Sequence, residues 1–218
     1  MNKLIVFFSI AFITSVLTPG VSAQKNELFS TYTFSDIDMS SVNKVEVNTL
    51  NSSLTVNGHA TSEAVVEMYV SPNSSESRRR KWSDEEIKQY LEENQTIEVK
   101  VDGKKLLITV KPKTKGVEHI NVSFKITVPK QIDTHLQTVN GKITIENLSG
   151  SQKFQTVNGS LNIQNVSGKI IGSTVNGNVT VTNSNDDINL STINGNISEN
   201  DCEGKVKLST VNGKVKRK

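Results

Sequence analysis

Apolar residues in the last third of the chain recur two apart, and the pairs themselves recur every 18 residues. Thr-Val-Asn-Gly begins at Thr138, Thr156, Thr174 and Thr210, and Thr-Ile-Asn-Gly at Thr192, with no insertion over 138–218. Aligned on that phrase, the second position of the unit holds Val139, Val157, Val175, Ile193 and Val211. The sixth holds Ile143, Leu161, Val179, Ile197 and Val215; the eighth holds Ile145, Ile163 and Val181 and then fails at Glu199 and Arg217. The eleventh holds Leu148 and Val166, then Ser184 and Cys202, and later columns give Ile170, Ile188, Val206 and Phe154, Leu190, Leu208. No helical phase fits this spacing, whereas short alternating strands separated by turns do. A fixed short period is the mark of a stacked array.

At about 3.3 Å per residue, one unit extends to roughly 60 Å, a perimeter suited to one coil with two or three flat sides. Stacked coils place equivalent positions about 4.8 Å apart, so like side chains form ladders. The expected fold is all-β: a single-stranded β-solenoid (β-helix) with 18-residue coils over 138–218, preceded by an N-terminal β region with one short helix. In this reading Asn-Gly turns the first corner. Gly141, Gly159, Gly177, Gly195 and Gly213 can take positive φ at little steric cost. Asn140, Asn158, Asn176, Asn194 and Asn212 tolerate tight corners, and their stacked amides can hydrogen-bond along the ladder. Ser149-Gly150, Ser167-Gly168, Asn185-Asp186 and Glu203-Gly204 mark a second corner. The alternative is a meander of antiparallel hairpins, each turned by Asn-Gly. The rigid register favours the coil, because hairpin arrays tolerate drift in loop length. Lys214, Lys216, Arg217 and Lys218 stand where edge charges discourage edge-to-edge pairing.

Upstream, 24–137 reads as a β-rich part. Val42, Val45, Val47 and Leu50 alternate loosely, Leu54-Thr55-Val56-Asn57-Gly58 echoes the later phrase out of phase, and 64–70 reads as a further strand. Residues 71–81 form a polar break with a basic run. Ser83-Asp84-Glu85-Glu86 has the form of a capping box, and Ile87, Tyr90 and Leu91 follow at helical spacing. They predict one short helix at about 83–93, the only one in this part. Asp102-Gly103 predicts a hairpin between strands at 96–101 and 106–110, and 120–128 alternates until Pro129. At the start, Lys3, an apolar run at 4–17 and Val21-Ser22-Ala23 predict a secretory signal peptide over 1–23. The run is shorter than the roughly 20 residues of a membrane span, so a retained anchor is the lesser alternative. No cysteine stands at the cleavage point, which closes the lipoprotein route. The expected location is therefore exported: periplasm, cell surface or extracellular.

This order of parts resembles the bacterial putative adhesin family of β-strand-repeat proteins, the DUF4097 type. A signal peptide precedes a strand region at 42–70; a segment at 106–128 ends in Val128-Pro129; tandem units of the form T-V-N-G-x-I follow. The repeats carry the resemblance over 138–218, and the N-terminal half matches more loosely. The resemblance implies a β-solenoid of secreted or envelope-associated proteins, and it brings no catalytic residues to transfer.

Charge and chemistry narrow the function further. Cleavage of the signal removes Lys3 alone, which takes the net charge from +3 to +2, near neutral and unsuited to a general nucleic-acid partner. Cys202 is the one cysteine, so neither an intramolecular disulfide nor a thiolate zinc site is available. His59, His119 and His135 lack metal-ligand spacing, and neither cofactor nor metal is expected. Asp186, Asp187, Glu146, Glu199, Asp201 and Glu203 fall at different positions of the unit and read as solvated corners rather than an active site. Arg78-Arg79-Arg80-Lys81 is a candidate anionic-ligand patch, set against a reading in which Glu76 and Asp84-Glu85-Glu86 neutralise it. Trp82 stacks on a sugar or packs under the helix. Were the valine of T-V-N turned inward, Thr and Asn would form an outward T-x-N array like those of ice-binding solenoids. The leading expectation is an exported, non-enzymatic, monomeric adhesin or envelope surface-binding scaffold, whose partner is a surface glycan or envelope protein. The alternatives are a carbohydrate-active enzyme on a β-helix scaffold and, less favoured, the ice-binding ladder.

Overall fold

The computed structural model describes residues 30–79, 81–113 and 119–218. The predicted signal peptide lies outside the described residues. In chain order the elements are β1 (Ser30–Asp38), β2 (Lys44–Asn48), β3 (Ser52–His59), β4 (Glu63–Pro72), α1 (Ser74–Arg79), α2 (Asp84–Asn94), β5 (Gln95–Asp102), β6 (Lys105–Pro112) and β7 (Ile120–Pro129). Then follow β8 (Asp133–Gln137), β9 (Ile143–Glu146), β10 (Gln152–Gln155), β11 (Leu161–Gln164), β12 (Ile170–Ser173), β13 (Val179–Thr182), β14 (Asp187–Thr192), β15 (Ile197–Asn200), β16 (Lys205–Thr210) and β17 (Val215–Arg217).

The strands form two sheets. One has nine strands in the order β1-β4-β7-β3-β9-β11-β13-β15-β17, the other eight in the order β16-β14-β12-β10-β8-β2-β6-β5. From β8 onward the chain alternates between them, and every pairing is parallel. Leu161 lies opposite Ile143 and Val179, and Gly172 opposite Phe154 and Leu190, each partner 18 residues away. The hairpin meander is therefore excluded for the repeats. Antiparallel pairs join β1 to β4, β4 to β7 and β5 to β6, the last across the Asp102-Gly103 turn, where Gly103 has φ 60°.

Both sheets continue upstream of the repeats. β2 pairs with β8, and β3 lies between β7 and β9. The echo Leu54-Thr55-Val56-Asn57 sits against Ile143-Thr144-Ile145-Glu146, in the strand and not at the corner. The corner equivalent of Thr-Val-Asn-Gly in this layer is Thr49-Leu50-Asn51-Ser52. Thr49 N donates to Gln137 O as Thr138 N does to Gln155 O, and Asn140 Nδ2 donates to Asn51 Oδ1 at 2.6 Å.

Alternation within each short strand turns one set of side chains between the sheets. Ile143, Leu161, Val179 and Ile197 form one buried column; Ile145, Ile163 and Val181 form another. Each such side chain contributes about 1.5–3 kcal/mol by leaving water. The apolar column at the eighth position fails for a stated reason: the buried Glu199 Oε1 accepts from Cys202 N at 3.2 Å, and its Oε2 lies 3.8 Å from Arg217 Nε. Arg217 in turn donates to Val206 O at 3.0 Å, so the last two positions of the column are a paired polar plug.

The first corner faces the opposite way from the expectation behind the T-x-N array. Thr156 and Thr174 are 4% and 3% exposed, whereas Val157, Ile193 and Val211 are 39%, 43% and 73% exposed. Each threonine hydroxyl donates inward to a corner carbonyl of the preceding layer. Thr174 Oγ1 meets Gly159 O at 2.8 Å, Thr192 Oγ1 meets Gly177 O at 2.9 Å, and Thr210 Oγ1 meets Gly195 O at 2.8 Å. A valine cannot serve a buried carbonyl that needs a donor, so threonine goes in and valine out. The outward T-x-N array does not exist, and the ice-binding reading built on it falls. Thr174→Val is expected to cost about 1 kcal/mol through that lost bond, read as a lower urea midpoint at unchanged m-value.

The predicted helix is α2. Ser83 Oγ accepts from Glu86 N at 3.2 Å while Ser83 N donates to Glu86 Oε2 at 2.8 Å, and Ile87 and Leu91 are buried. It is not the only helix. Asn73 Oδ1 accepts from Ser75 N and Glu76 N and starts the six-residue α1 within the predicted polar break. So short a helix has no apolar period to betray it.

Candidate binding surface

The asparagines of the first corner form a continuous ladder. Asn140, Asn158, Asn176, Asn194 and Asn212 each donate from Nδ2 to Oδ1 of the residue one layer before, at 2.6 Å for the first and 2.8 Å for the rest. Their amides are exposed, so each retains donor and acceptor capacity toward solvent.

The glycines beside them do not take positive φ, which corrects the expectation for Gly141, Gly159, Gly177, Gly195 and Gly213. Their constraint is close approach. A Cβ on Gly159 would stand 1.9 Å from Gly141 O, and one on Gly177 2.1 Å from Gly159 O. The left-handed backbone lies at the second corner instead, at Gly150, Gly168, Asp186 and Gly204 and also at Asn147, Asn165, Asn183 and Asp201. Of the last four, only Asp201 was named from sequence, as an acid at a solvated corner, and Asn147, Asn165 and Asn183 were not singled out. Their signal was a column made of Asn, Asn, Asn and Asp, the side chains that best tolerate that conformation. Asn165 Nδ2 donates to Asn147 Oδ1, and Asn147 Nδ2 to Asn57 Oδ1, each at 3.1 Å, so a shorter amide ladder runs there too.

Between the two corners, the outward positions of the nine-stranded sheet are Ser160, Asn162, Gln164 on and just before β11; Asn178, Thr180, Thr182 on and just before β13; and Asn196, Ser198, Asn200 on and just before β15. They alternate with buried Leu161, Ile163, Val179, Val181, Ile197 and Glu199. Asn178 Oδ1 accepts from Asn196 N at 2.8 Å, and Asn196 Oδ1 from Lys214 N at 2.9 Å. With Val157, Asn158, Val175, Asn176, Ile193 and Asn194, three layers of five make 15 outward positions without a formal charge. Charges border them: Lys142 and Glu146 one layer before, Lys214 and Lys216 one layer after. With the Asn162 amide turned so that both its atoms find partners, its oxygen accepts from Lys142 Nζ at 3.0 Å. The outward face of the other sheet carries Lys153, Lys169, Asp187, Lys205 and Lys207 over comparable layers. Sequence reasoning missed the uncharged face because its columns vary in residue identity and keep only polarity.

Of the basic run, only part lies among the described residues. Arg78 and Arg79 close α1, Lys81 follows exposed, and Arg80 lies outside the described residues. Arg79 Nη1 is 3.3 Å from Glu76 Oε1, which also sits 3.1 Å from His119 Nδ1. Trp82 is buried, edge-on to Tyr90 with ring centroids 5.6 Å apart, so it packs beneath α2 rather than standing free for a sugar.

Among the described residues, no three His, Cys, Asp or Glu side chains converge in a ligand geometry. Cys202 is half-buried, and burial pushes its thiol up, away from nucleophilic character. His135 is outward on β8 between Glu46 and Lys153, and its buried Nε2 has no partner. Burial, then Lys44 and Lys153, hold its pKa below the usual value. In acid the unfolded chain therefore takes up a proton that the folded one resists. The stability contributed is whole above about pH 6.5, the ordinary value, and is lost as pH falls below it through the lower folded-state value. Thermal midpoints at neutral pH and near pH 5 should differ less for His135→Gln than for the native chain; equal differences would contradict this.

No helix among the described residues is long and apolar enough to cross a membrane. No family model and no curated protein match the chain. Among solved structures it is similar to a putative cell adhesion protein from Clostridium sporogenes ATCC 15579, at 12% identity over 87% of this chain and 100% of that one, with TM-score 0.41. It is similar also to a putative adhesin from Bacteroides fragilis NCTC 9343, at 11% identity over 91% and 100% of the two chains, with TM-score 0.39. A third, a putative lipid binding protein from Parabacteroides distasonis ATCC 8503, is 11% identical over 87% and 97%, with TM-score 0.27.

Proposed function

We propose that the chain is an exported, non-enzymatic β-solenoid of the strand-repeat adhesin type, presented at the cell surface as a binding scaffold. The observation that carries this reading is the constant 18-residue parallel register, which presents outward side chains as long flat rows. Such rows offer many equivalent weak contacts side by side, the geometry of multivalent attachment. The signal-like start of the sequence supplies the route of export. On this reading no single substitution in the repeats abolishes a chemical activity. Incubation of the purified protein with polysaccharides should release no reducing ends. Reproducible release, lost on changing one acidic residue such as Asp187 or Glu199, would replace the scaffold with an enzyme.

A further inference from the structure

We propose that the uncharged face of β11, β13 and β15, with the valine and asparagine rows beside it, binds a neutral polysaccharide. This rests on the scaffold reading and names its ligand class. The chain is 22% charged, so 15 outward positions drawn at random would carry about three charges; these carry none. The charges of the same stretch of chain lie off this face: Lys169 and Asp187 by the other sheet, Asp186 at the second corner and Glu199 buried between the sheets, while Lys142, Glu146, Lys214 and Lys216 stand in the bordering layers. A charged polymer laid on the uncharged face would lose ionic hydration and gain no counter-charge, whereas a neutral one gives up only hydroxyl hydration that the face's amides and hydroxyls can replace.

The chemistry on the face matches sugar in two ways. Amides and hydroxyls at Ser160, Asn162, Gln164, Asn178, Thr180, Thr182, Asn196, Ser198 and Asn200 donate and accept toward ring hydroxyls. The outward Val157, Val175 and Ile193 make an aliphatic ridge against which the apolar C–H face of a sugar ring can lie. Identical spacing between layers, about 4.8 Å, repeats an uncharged amide or hydroxyl at each of these positions along the stack. An extended polymer with a short chemical repeat can occupy several layers at once. Because β9, β11, β13 and β15 pair residue for residue without a bulge, the rows keep their register from layer to layer.

The test uses the full purified chain and four neutral polysaccharides: cellulose, chitin, mannan and xylan. Polygalacturonate serves as the anionic comparison. Retention by at least one neutral polymer, unchanged in high salt, is expected. Thr180→Glu and Thr180→Lys should each weaken it about tenfold, since either sign of charge must be desolvated there. Lys153→Glu on the opposite sheet should leave it unchanged. Thermal midpoints near that of the native chain will show that the variants are folded. No retention by any neutral polymer, equal retention by the Thr180 variants, or salt-sensitive retention by polygalacturonate alone would each overturn the proposal. Retention abolished by Lys153→Glu and untouched at Thr180 would overturn this face while leaving a glycan-binding scaffold. Retention only by envelope proteins would overturn the ligand class and keep the scaffold. Degradation of the bound polymer would overturn the scaffold itself.

Discussion

Gly177→Ala is expected to destabilise the protein by about 3 kcal/mol or more, out of all proportion to the one methyl group added. The added Cβ would stand 2.1 Å from Gly159 O and 2.6 Å from Gly159 C, both backbone atoms of the layer beneath. Relief requires the two layers to part, and parting them stretches the parallel ladder and the threonine bond Thr174 Oγ1 to Gly159 O. Gly103→Ala is the informative control. Gly103 has φ +60° and open space where a Cβ would go, so only backbone strain is paid there, about 1–2 kcal/mol. Urea unfolding of both variants measures the contrast. A Gly177→Ala cost no larger than that at Gly103 would mean that the corners do not approach as closely as described.

The second large effect lies in the core between the sheets. Phe154 is among the largest fully buried side chains, and its ring occupies the place that a side chain at position 172 would take. A Cβ on Gly172 would meet Phe154 Cε2 at 2.1 Å and Leu190 Cδ2 at 2.8 Å. The column Phe154, Gly172, Leu190 thus alternates large, none and large in successive layers. Phe154→Ala is expected to cost about 3–5 kcal/mol. Gly172→Ala should also destabilise, by overpacking. Combined with Phe154→Leu, however, it should cost less than the sum of the two single changes, because the smaller side chain vacates the ring's space. A double-mutant cycle from denaturant unfolding gives the coupling; strict additivity would contradict the packing.

The parallel two-sheet architecture of the repeats was legible because the period is unbroken. An 18-residue recurrence of T-V-N-G with paired apolar positions leaves little but stacked strands, and the pairing follows that register residue for residue. What the pattern could not show was which way a corner residue points. Val157 and Thr156 are neighbours at a turn, where strict two-residue alternation no longer holds, and hydrophobicity alone favours burying valine. The buried carbonyls decide otherwise, and carbonyls are not written in a sequence. The role of the corner glycines was hidden for the same reason: Asn-Gly reads as a conformational signal, yet at Gly159 and Gly177 the demand is for space between layers. The first upstream layer was hidden because Thr49-Leu50-Asn51-Ser52 lacks the glycine and the valine that define the phrase. The uncharged face was hidden because Ser160, Asn178 and Asn196 share only a class of chemistry, and a class repeats less visibly than a residue.

The proposed role requires that this scaffold be presented outside the cell. Protease treatment of intact cells, followed by blotting for the mature protein, tests it most directly. Detergent-opened cells, in which the same protease must remove the band, guard against intrinsic resistance of the stacked strands. The band is expected to disappear from intact cells while an internal marker protein stays whole. Survival of the band in intact cells, with loss only once they are opened, would contradict presentation at the surface and with it attachment to an external polysaccharide.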